Sequence, residues 1–448
     1  MLDFNTLERL YQSFLVCGNV TTDSRRIESG AMFFALKGEN FDGNEFALAA
    51  IESGAGAVVV SKESPFAQKL SQKECRADIF LVEDTLETLQ TLARYHRSHF
   101  NIPVIALTGT NGKTTTKELL SVVLSRKFDV TYTLGNLNNH IGVPLTLLRL
   151  TEQTRMAVIE MGANHPGEIA LLMSIALPNY GLVTNVGKAH LEGFGSFEGV
   201  KRAKGEMYDY LQRTADMVFY NCDDENICEM VSERPDLNRT PYGLQYNSAE
   251  ILPASQNEPF LRMKCVVDSQ EVFISSRLVG GYNANNILAA VTVGQFFGVP
   301  IQDCVEAING YIPSNHRSQA EYTGNNFLIL DTYNANPSSM KASLENFSKT
   351  NFNNKVIVLG DMLELGPESL NEHRRVIELL GTVEFEKCYL VGGEFSKGAA
   401  GIDIPDSISL FEDVYALKRY FEEEPIKGKT VLIKGSNGIK LPLLKEVL

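Results

Sequence analysis

The spacing of apolar positions changes along the chain, and the changes mark the elements. Up to about residue 100, short apolar runs (AMFFAL, AGAVVV, DIFLV) alternate with stretches such as NEFALAAIESG and TLETLQTLARYHRS, whose apolar residues recur at helical spacing. That rhythm predicts a small α/β domain. From IPVIALTG onward the strands are continuously apolar (MAVIEMG, YGLVTNVG, ADMVFYN), and helix-length segments such as KTTTKELLSVVLSR and PGEIALLMSIAL separate them. Strands apolar on both faces predict a parallel sheet covered by helices on each side. FLRMKCVVDSQEVFISSRL follows with the look of an antiparallel hairpin, then the helical stretches NANNILAAVTVGQFFG and IQDCVEAING. A turn-rich stretch from Pro313 to Gly324 opens a third region. There FLILDTY, KVIVLGDM, CYLVGG and TVLIKGS are strands with helices between them, a Rossmann-like pattern. The expected fold class is α/β in three domains: a small N-terminal α/β domain (1–100), a central parallel-sheet domain (101–313) and a C-terminal Rossmann-like domain (314–448).

The length of 448 residues agrees with three domains at roughly 150 residues each. A net charge of −14 argues against generic nucleic-acid or anionic-membrane binding. The seven cysteines are scattered, odd in number and never in C-x-x-C spacing, so reduced buried thiols are expected rather than disulfides or a zinc site. The N-terminus carries Asp3 and Glu8 where a signal peptide has only basic charge, and no apolar run nears the ~20 residues of a membrane span. The expectation is a soluble, cytoplasmic monomer without nucleic-acid partners or membrane insertion.

The strongest local signal is ALTGTNGKTTTKELL. A strand ends near Leu107, a glycine-bearing turn follows, and a helix begins near Lys113. Gly109 and Gly112 allow backbone N–H groups to face an anion, and the helix N-terminus adds partial positive charge. Gly109, Thr110, Asn111, Gly112, Lys113, Thr114 and Thr115 are therefore candidate ATP contacts, with Lys113 against the β/γ-phosphates and Thr114 on Mg²⁺. The spacing is a short G-x-x-G-K-T phosphate loop (P-loop) rather than G-x-x-x-x-G-K-[ST]. Glu160 ends the strand MAVIEMG, where open α/β sheets place ligands, and its carboxylate suits Mg²⁺. In the third region Arg317 could clamp a phosphate, and Asp331 and Tyr333 end a strand where an acid suits a ribose hydroxyl. Asp331 could equally initiate the turn before the helix at Pro337. Asn283 and Asn286 share one helix face, although Asn283 could serve only as an N-cap.

The short loop GTNGKTTT resembles that of the Mur ligase family, whose members use ATP to join an amino acid or peptide to a carboxylate. Further resembling segments span the chain in order: TDSRRIESGAMFFALKGENFDG, GNLNNHIGVPLTLL, IEMGANHPGEI, TNVGKAHLEGFGS, AKGEMYDYL, GGYNANNILAA, DTYNANPSSM, VLGDMLELG and IKGS. EMGANHPGEI, DTYNANPSSM and GDMLELG together look most like the branch that adds D-alanyl-D-alanine to UDP-N-acetylmuramoyl-tripeptide through an acyl phosphate, in peptidoglycan precursor synthesis. The resemblance implies two Mg²⁺ ions, with His190 binding the second. It also implies a carbamylated lysine at Lys204, with Lys201 one turn away as the alternative. By residue type alone, His190 would be structural, Lys204 a solvated helix lysine, and Lys201 and Arg202 likewise. The resemblance puts Asn283 and Asn286 on the adenine side, where the family usually has His at the position of Tyr282. It makes Ser24, Arg25, Lys37 and Asp42 the uridine-diphosphate site, with Asn44 where the family usually has His. It turns Asn138 and Asn139, turn residues by default, toward the muramyl-peptide. Another Mur-type or folylpolyglutamate-type amide ligase, or a nucleotide-switch ATPase that forms no bond, are the alternatives.

Overall fold

The structure, a computed structural model, describes residues 2–39, 41–71, 76–214, 216–313 and 317–448. Cys75 and the expected start of the third domain at residue 314 lie outside the described residues. The chain forms two compact units, one of Met1–Leu107, Phe128–Ala163 and Gly167–Gly181, the other of Thr108–Lys127, Asn164–Pro166 and Leu182–Leu448.

In the first unit β1 (Val20–Thr21), β2 (Met32–Phe34), β3 (Ala57–Ser61) and β4 (Asp78–Val82) make a parallel sheet in that order. Phe33, Val58 and Val60 pack with Ala47 and Ala50 of the helix Ala47–Glu52. Here too β7 (Met156–Glu160) lies between β5 (Val104–Thr108) and β6 (Val130–Tyr132), all parallel. Every residue of β5 and β7 is buried, as their continuous apolar runs require.

The helix Thr85–Ser98 begins on Asp84, whose carboxylate accepts from the Leu86 and Glu87 amides. It ends on two buried polar side chains. Arg97 donates to the carbonyls of Phe100, Ala176 and Leu177, the last two at the C-terminal end of the helix Glu168–Ala176. His96 has Nε2 3.0 Å from the Leu150 carbonyl, so Nε2–H donates there and Nδ1 accepts from the Tyr11 hydroxyl at 3.2 Å. Burial holds the His96 pKa below its ordinary 6.5, with the Leu150 carbonyl opposing and His99 adding to the shift. A lowered folded-state pKa means the unfolded chain takes the proton first, so this residue's contribution is lost as pH falls through 6.5. Urea midpoints at pH 7.5 and 5.5 should therefore fall with pH in the wild type, and fall less in His96→Gln. An equal fall in both would remove His96 from the account.

The chain passes into the second unit within β8 (Tyr180–Val183), and there β9 (Met217–Asn221) and β10 (Asn238–Tyr242) pair in parallel. The hairpin is present as β12 (Arg262–Val267) and β13 (Gln270–Ser275), with β11 (Glu250–Leu252) added antiparallel to β12. The last sheet runs β14 (Gln319–Tyr322), β15 (Phe327–Asp331), β19 (Thr430–Lys434), β16 (Lys355–Gly360), β17 (Lys387–Val391), β18 (Ile408–Phe411). All its pairings are parallel except that of β14 with β15. Side chains alternate between its faces: Leu328, Leu330, Val356, Val358, Val431 and Ile433 enter one core, Ile329, Ile357, Leu359 and Leu432 the other. This is the Rossmann-like layout expected of the third region. Among the described residues no helix is long and apolar enough to cross a membrane. Cys17, Cys222, Cys228, Cys265, Cys304 and Cys388 are free, but only the last three are fully buried, which corrects the expectation of uniformly buried thiols.

Candidate active site

The phosphate loop turns between β5 and the helix Lys113–Leu124 on two glycines at φ +143° (Gly109) and +79° (Gly112). A Cβ on Gly109 would lie 1.9 Å from Thr184 Oγ1, and one on Gly112 2.7 Å from Asn286 Oδ1. Both positions therefore need glycine for packing as well as for backbone conformation. Gly112 is the N-cap and offers the first turn no side-chain acceptor, which suits an anion at that end. The segment after β8 stitches the loop down. Thr110 N donates to the Asn185 carbonyl, Asn111 N to Asn185 Oδ1, and the Asn111 carbonyl accepts from Thr184 Oγ1 and Asn185 Nδ2. Lys113 Nζ donates to the carbonyls of Gly109 (2.7 Å) and Thr110 (3.1 Å), folding over its own loop. Thr114 and Thr115 are buried at the helix start.

His190 stands in left-handed conformation (φ +49°, ψ +40°) before the short helix Leu191–Phe194, with Nδ1 2.5 Å from Glu364 Oε2. Burial lowers its pKa most, then the positive charge of Lys113; Glu364 opposes, and Lys204 lowers it further. Lys113 and Lys204 thus both act on His190. Lys204 is 2 % exposed on the helix Phe197–Arg213, with Nζ 5.6 Å from the Phe194 ring centre, so it is not a solvated lysine. Lys201 is not solvated either: it is buried and pairs with Glu229 at 2.5 Å, whereas Arg202 is exposed.

Asn283 and Asn286 form a buried polar chain. Thr116 Oγ1 donates to Asn286 Oδ1, Asn286 Nδ2 to Asn283 Oδ1, and Asn283 Nδ2 to the Val279 carbonyl and Ser318 Oγ. Asn283 makes no side-chain cap to the helix Ala284–Phe296, so the N-cap reading is set aside. Tyr282 joins the chain through Ser318 Oγ at 3.3 Å; burial raises its pKa, and the Asp331 charge adds to this. Arg317 lies over the Tyr333 ring, its guanidinium carbon 3.7 Å from the ring centre, and its buried Nε has no hydrogen-bond partner. Asp331 pairs with Lys434, which is 1 % exposed, at 2.6 Å. It does not start the following helix. Asn336 does so, with a full capping box and Pro337 in the first turn.

In the first unit, Glu160 is 1 % exposed and accepts from Asn138 Nδ2 at 2.8 Å, so Asn138 is more than a turn residue. Asn139 is one: its Oδ1 accepts from the Ile141 and Gly142 amides. Arg25 is 86 % exposed and forked onto Asp23, which these hydrogen bonds hold down to about 2; Ser24 sits between them in sequence. Lys37 and Asp42 bridge antiparallel across the next turn. Asn44 is buried, donating to Asp42 Oδ1 and accepting from the Ser61 amide, so its side chain is committed to holding that turn.

Residues missed from sequence are Thr184 and Asn185, which hold the loop, Lys434 against Asp331, Asn336 as a cap, and Glu364 on His190. Among the described residues no cluster of three or more His, Cys, Asp or Glu could hold a metal. Thr114 and Glu160 are both buried and each carries an oxygen of the kind accepted by Mg²⁺, a cation that completes its shell with phosphates and water.

Residues 17–97, 107–294 and 316–437 match, respectively, the Mur ligase family catalytic domain, the Mur ligase middle domain and the Mur ligase glutamate ligase domain. A UDP-N-acetylmuramoyl-tripeptide–D-alanyl-D-alanine ligase of Bacillus subtilis is 33% identical over 445 residues, covering 98% of this chain and 94% of that protein. The enzyme of the same name in Escherichia coli is 35% identical over 428 residues, covering 93% and 90%. The crystal structure of MurF from Acinetobacter baumannii superposes with a TM-score of 0.86 at 29% identity, covering 98% of each chain. That of MurF from Thermotoga maritima in complex with ADP gives 0.82 at 27%, covering 97% of each. The chain belongs to the Mur ligase family, and its fold is the three-domain α/β fold of these enzymes.

Proposed function

We propose that this chain is the ATP-dependent ligase that joins D-alanyl-D-alanine to UDP-N-acetylmuramoyl-tripeptide, releasing ADP and phosphate, as a cytoplasmic monomer. The near-full-length likeness to enzymes of that name supports the substrates. The observation that carries the chemistry is the phosphate loop turned on Gly109 and Gly112, with Lys113 Nζ folded onto the Gly109 and Thr110 carbonyls. The domains run 1–100 for the UDP end, 101–313 for ATP and 314–448 for the dipeptide.

The tripeptide carboxylate attacks the γ-phosphorus; an O–P bond forms, the β,γ-bridging P–O bond breaks, and ADP leaves with that electron pair. The D-alanyl-D-alanine amine then attacks the acyl carbon, loses a proton, and phosphate departs. Each step is a matter of positioning and charge neutralisation. Loop residues 109–115 wrap the phosphates, with Lys113 swinging from its carbonyls onto them. Asn283 and Asn286 set the adenine side, Asp331 and Tyr333 the ribose, and Arg317 a phosphate. Ser24, Arg25, Lys37 and Asp42 take the uridine diphosphate, and Asn138 and Asn139 face the peptide. Bound Mg²⁺, with Thr114 and Glu160 as donors for one ion and His190 with carbamylated Lys204 for a second, supplies charge neutralisation. Lys204 is favoured over Lys201 because its Nζ lies 5.6 Å from the ring of Phe194, on the short helix that His190 begins.

Phosphate release with each substrate omitted in turn tests the reading. Turnover should require UDP-N-acetylmuramoyl-tripeptide, D-alanyl-D-alanine and Mg-ATP together, with a new amide in the product. ATP turnover without the dipeptide, or without the carboxylate substrate, would leave only a nucleotide switch.

A further inference from the structure

The motif GDMLELG, residues 360–366, follows β16 and is pinned residue by residue. A Cβ on Gly360 would lie 2.9 Å from Ile439 Cγ2. The Asp361 carboxylate accepts from the Glu394 and Phe395 amides, Met362 N donates to His373 Nε2, and Leu363 N donates to Ser436 Oγ. Leu365 is buried, and the position of Gly366 (φ +52°) lies against the Glu192 side chain. One side chain in this run is free of that framework. Glu364, itself left-handed at φ +63°, reaches His190 Nδ1 at 2.5 Å. Two non-glycine residues in a sparsely populated backbone region meet each other, so the contact joins two constrained positions.

The contact settles which ring nitrogen does what. A carboxylate can only accept, so Nδ1 carries the hydrogen and the Nε2 lone pair is left to face elsewhere. We infer that Glu364 is a positioning residue that fixes the tautomer and ring orientation of His190, so that Nε2 is presented as a ligand. This rests on the reading of His190 as a Mg²⁺ ligand. It follows the general pattern in which a ligating histidine gives its other N–H to a carboxylate. It also gives GDMLELG a purpose: six residues hold the frame from which the seventh reaches across.

The test uses the full-length chain. With ¹⁵N-histidine labelling, seven side chains give signals, and His190→Gln assigns the one that matters. At pH 8 the wild-type ring should be the Nδ1–H tautomer, and Glu364→Ala should lose that preference. Mn²⁺ binding in the presence of ADP, followed by electron paramagnetic resonance, should weaken about 10–100-fold in Glu364→Ala. Glu364→Gln keeps an acceptor for Nδ1–H and should bind Mn²⁺ within about threefold of wild type. An Nε2–H tautomer in the wild type, unchanged Mn²⁺ binding in Glu364→Ala, or equal damage in Glu364→Gln would each overturn the inference. Unchanged Mn²⁺ binding in His190→Gln would instead overturn the metal reading beneath it.

Discussion

Replacing Lys113 by alanine should reduce ATP-dependent turnover by on the order of 10³-fold while leaving the affinity for UDP-N-acetylmuramoyl-tripeptide unchanged. The argument starts from the ammonium group. It lies on the Gly109 and Thr110 carbonyls, one short swing from any phosphate the loop receives. Phosphoryl transfer is stabilised almost entirely by positive charge aimed at the migrating group, and losing one preorganised donor of that kind costs about 10²–10³ in rate. A charged donor folded over a half-buried loop belongs at the upper end of that range. The residues proposed for the uridine diphosphate, Ser24, Arg25, Lys37 and Asp42, belong to the first compact unit and Lys113 to the second, so their binding should not depend on it. Isothermal titration with the UDP substrate beside a phosphate-release assay separates the two. Joint loss of both would mean that the substitution disturbs more than the phosphate loop, and that the assignment of ligands to domains is wrong.

How far the sequence foretells this site depends on whether a residue's role is local. The β5–turn–helix corner, the two glycines and Lys113 are written within fifteen consecutive letters, and β15, β16 and β19 announce themselves as unbroken apolar runs. β6, β10 and β18 carry no such signal. β6 and β18 have only three and four residues, and β10, NRTPY, is mostly polar and contains a proline. The same holds for side chains. Glu364, Lys434 and Asn185 act on residues more than seventy positions away, and nothing in their own neighbourhoods shows the partner. Asn283 illustrates the converse. A local rule offers it a helix cap, whereas tertiary contacts give it Asn286, Val279 and Ser318 instead. Asn336 is legible by the capping rule, because its cap and box are written locally as N-P-S-S.

Glu160→Gln separates charge from shape in the first unit. Glu160 is buried, its main chain is held by Thr133 Oγ1, and its Oε1 accepts from Asn138 Nδ2. Glutamine is the same size and retains an oxygen for Asn138, so the local packing should survive. What disappears is the negative charge that a hard divalent cation requires. Charge stabilisation by a bound metal contributes several kcal/mol to phosphoryl transfer. About 4 kcal/mol of that corresponds to on the order of 10³-fold in kcat. Folding should respond in the opposite direction, because a carboxylate kept out of water destabilises the metal-free protein and its neutral analogue does not. The expected result is therefore a kcat lower by about three decades together with a melting temperature equal to or above that of the wild type in the absence of Mg²⁺. Added Mg²⁺ should raise the wild-type melting temperature in the presence of ADP and leave that of Glu160→Gln where it was, since only the form that binds the ion is stabilised by it. A variant that melts several degrees lower and loses activity in proportion would make Glu160 a structural partner of Asn138 rather than a metal ligand.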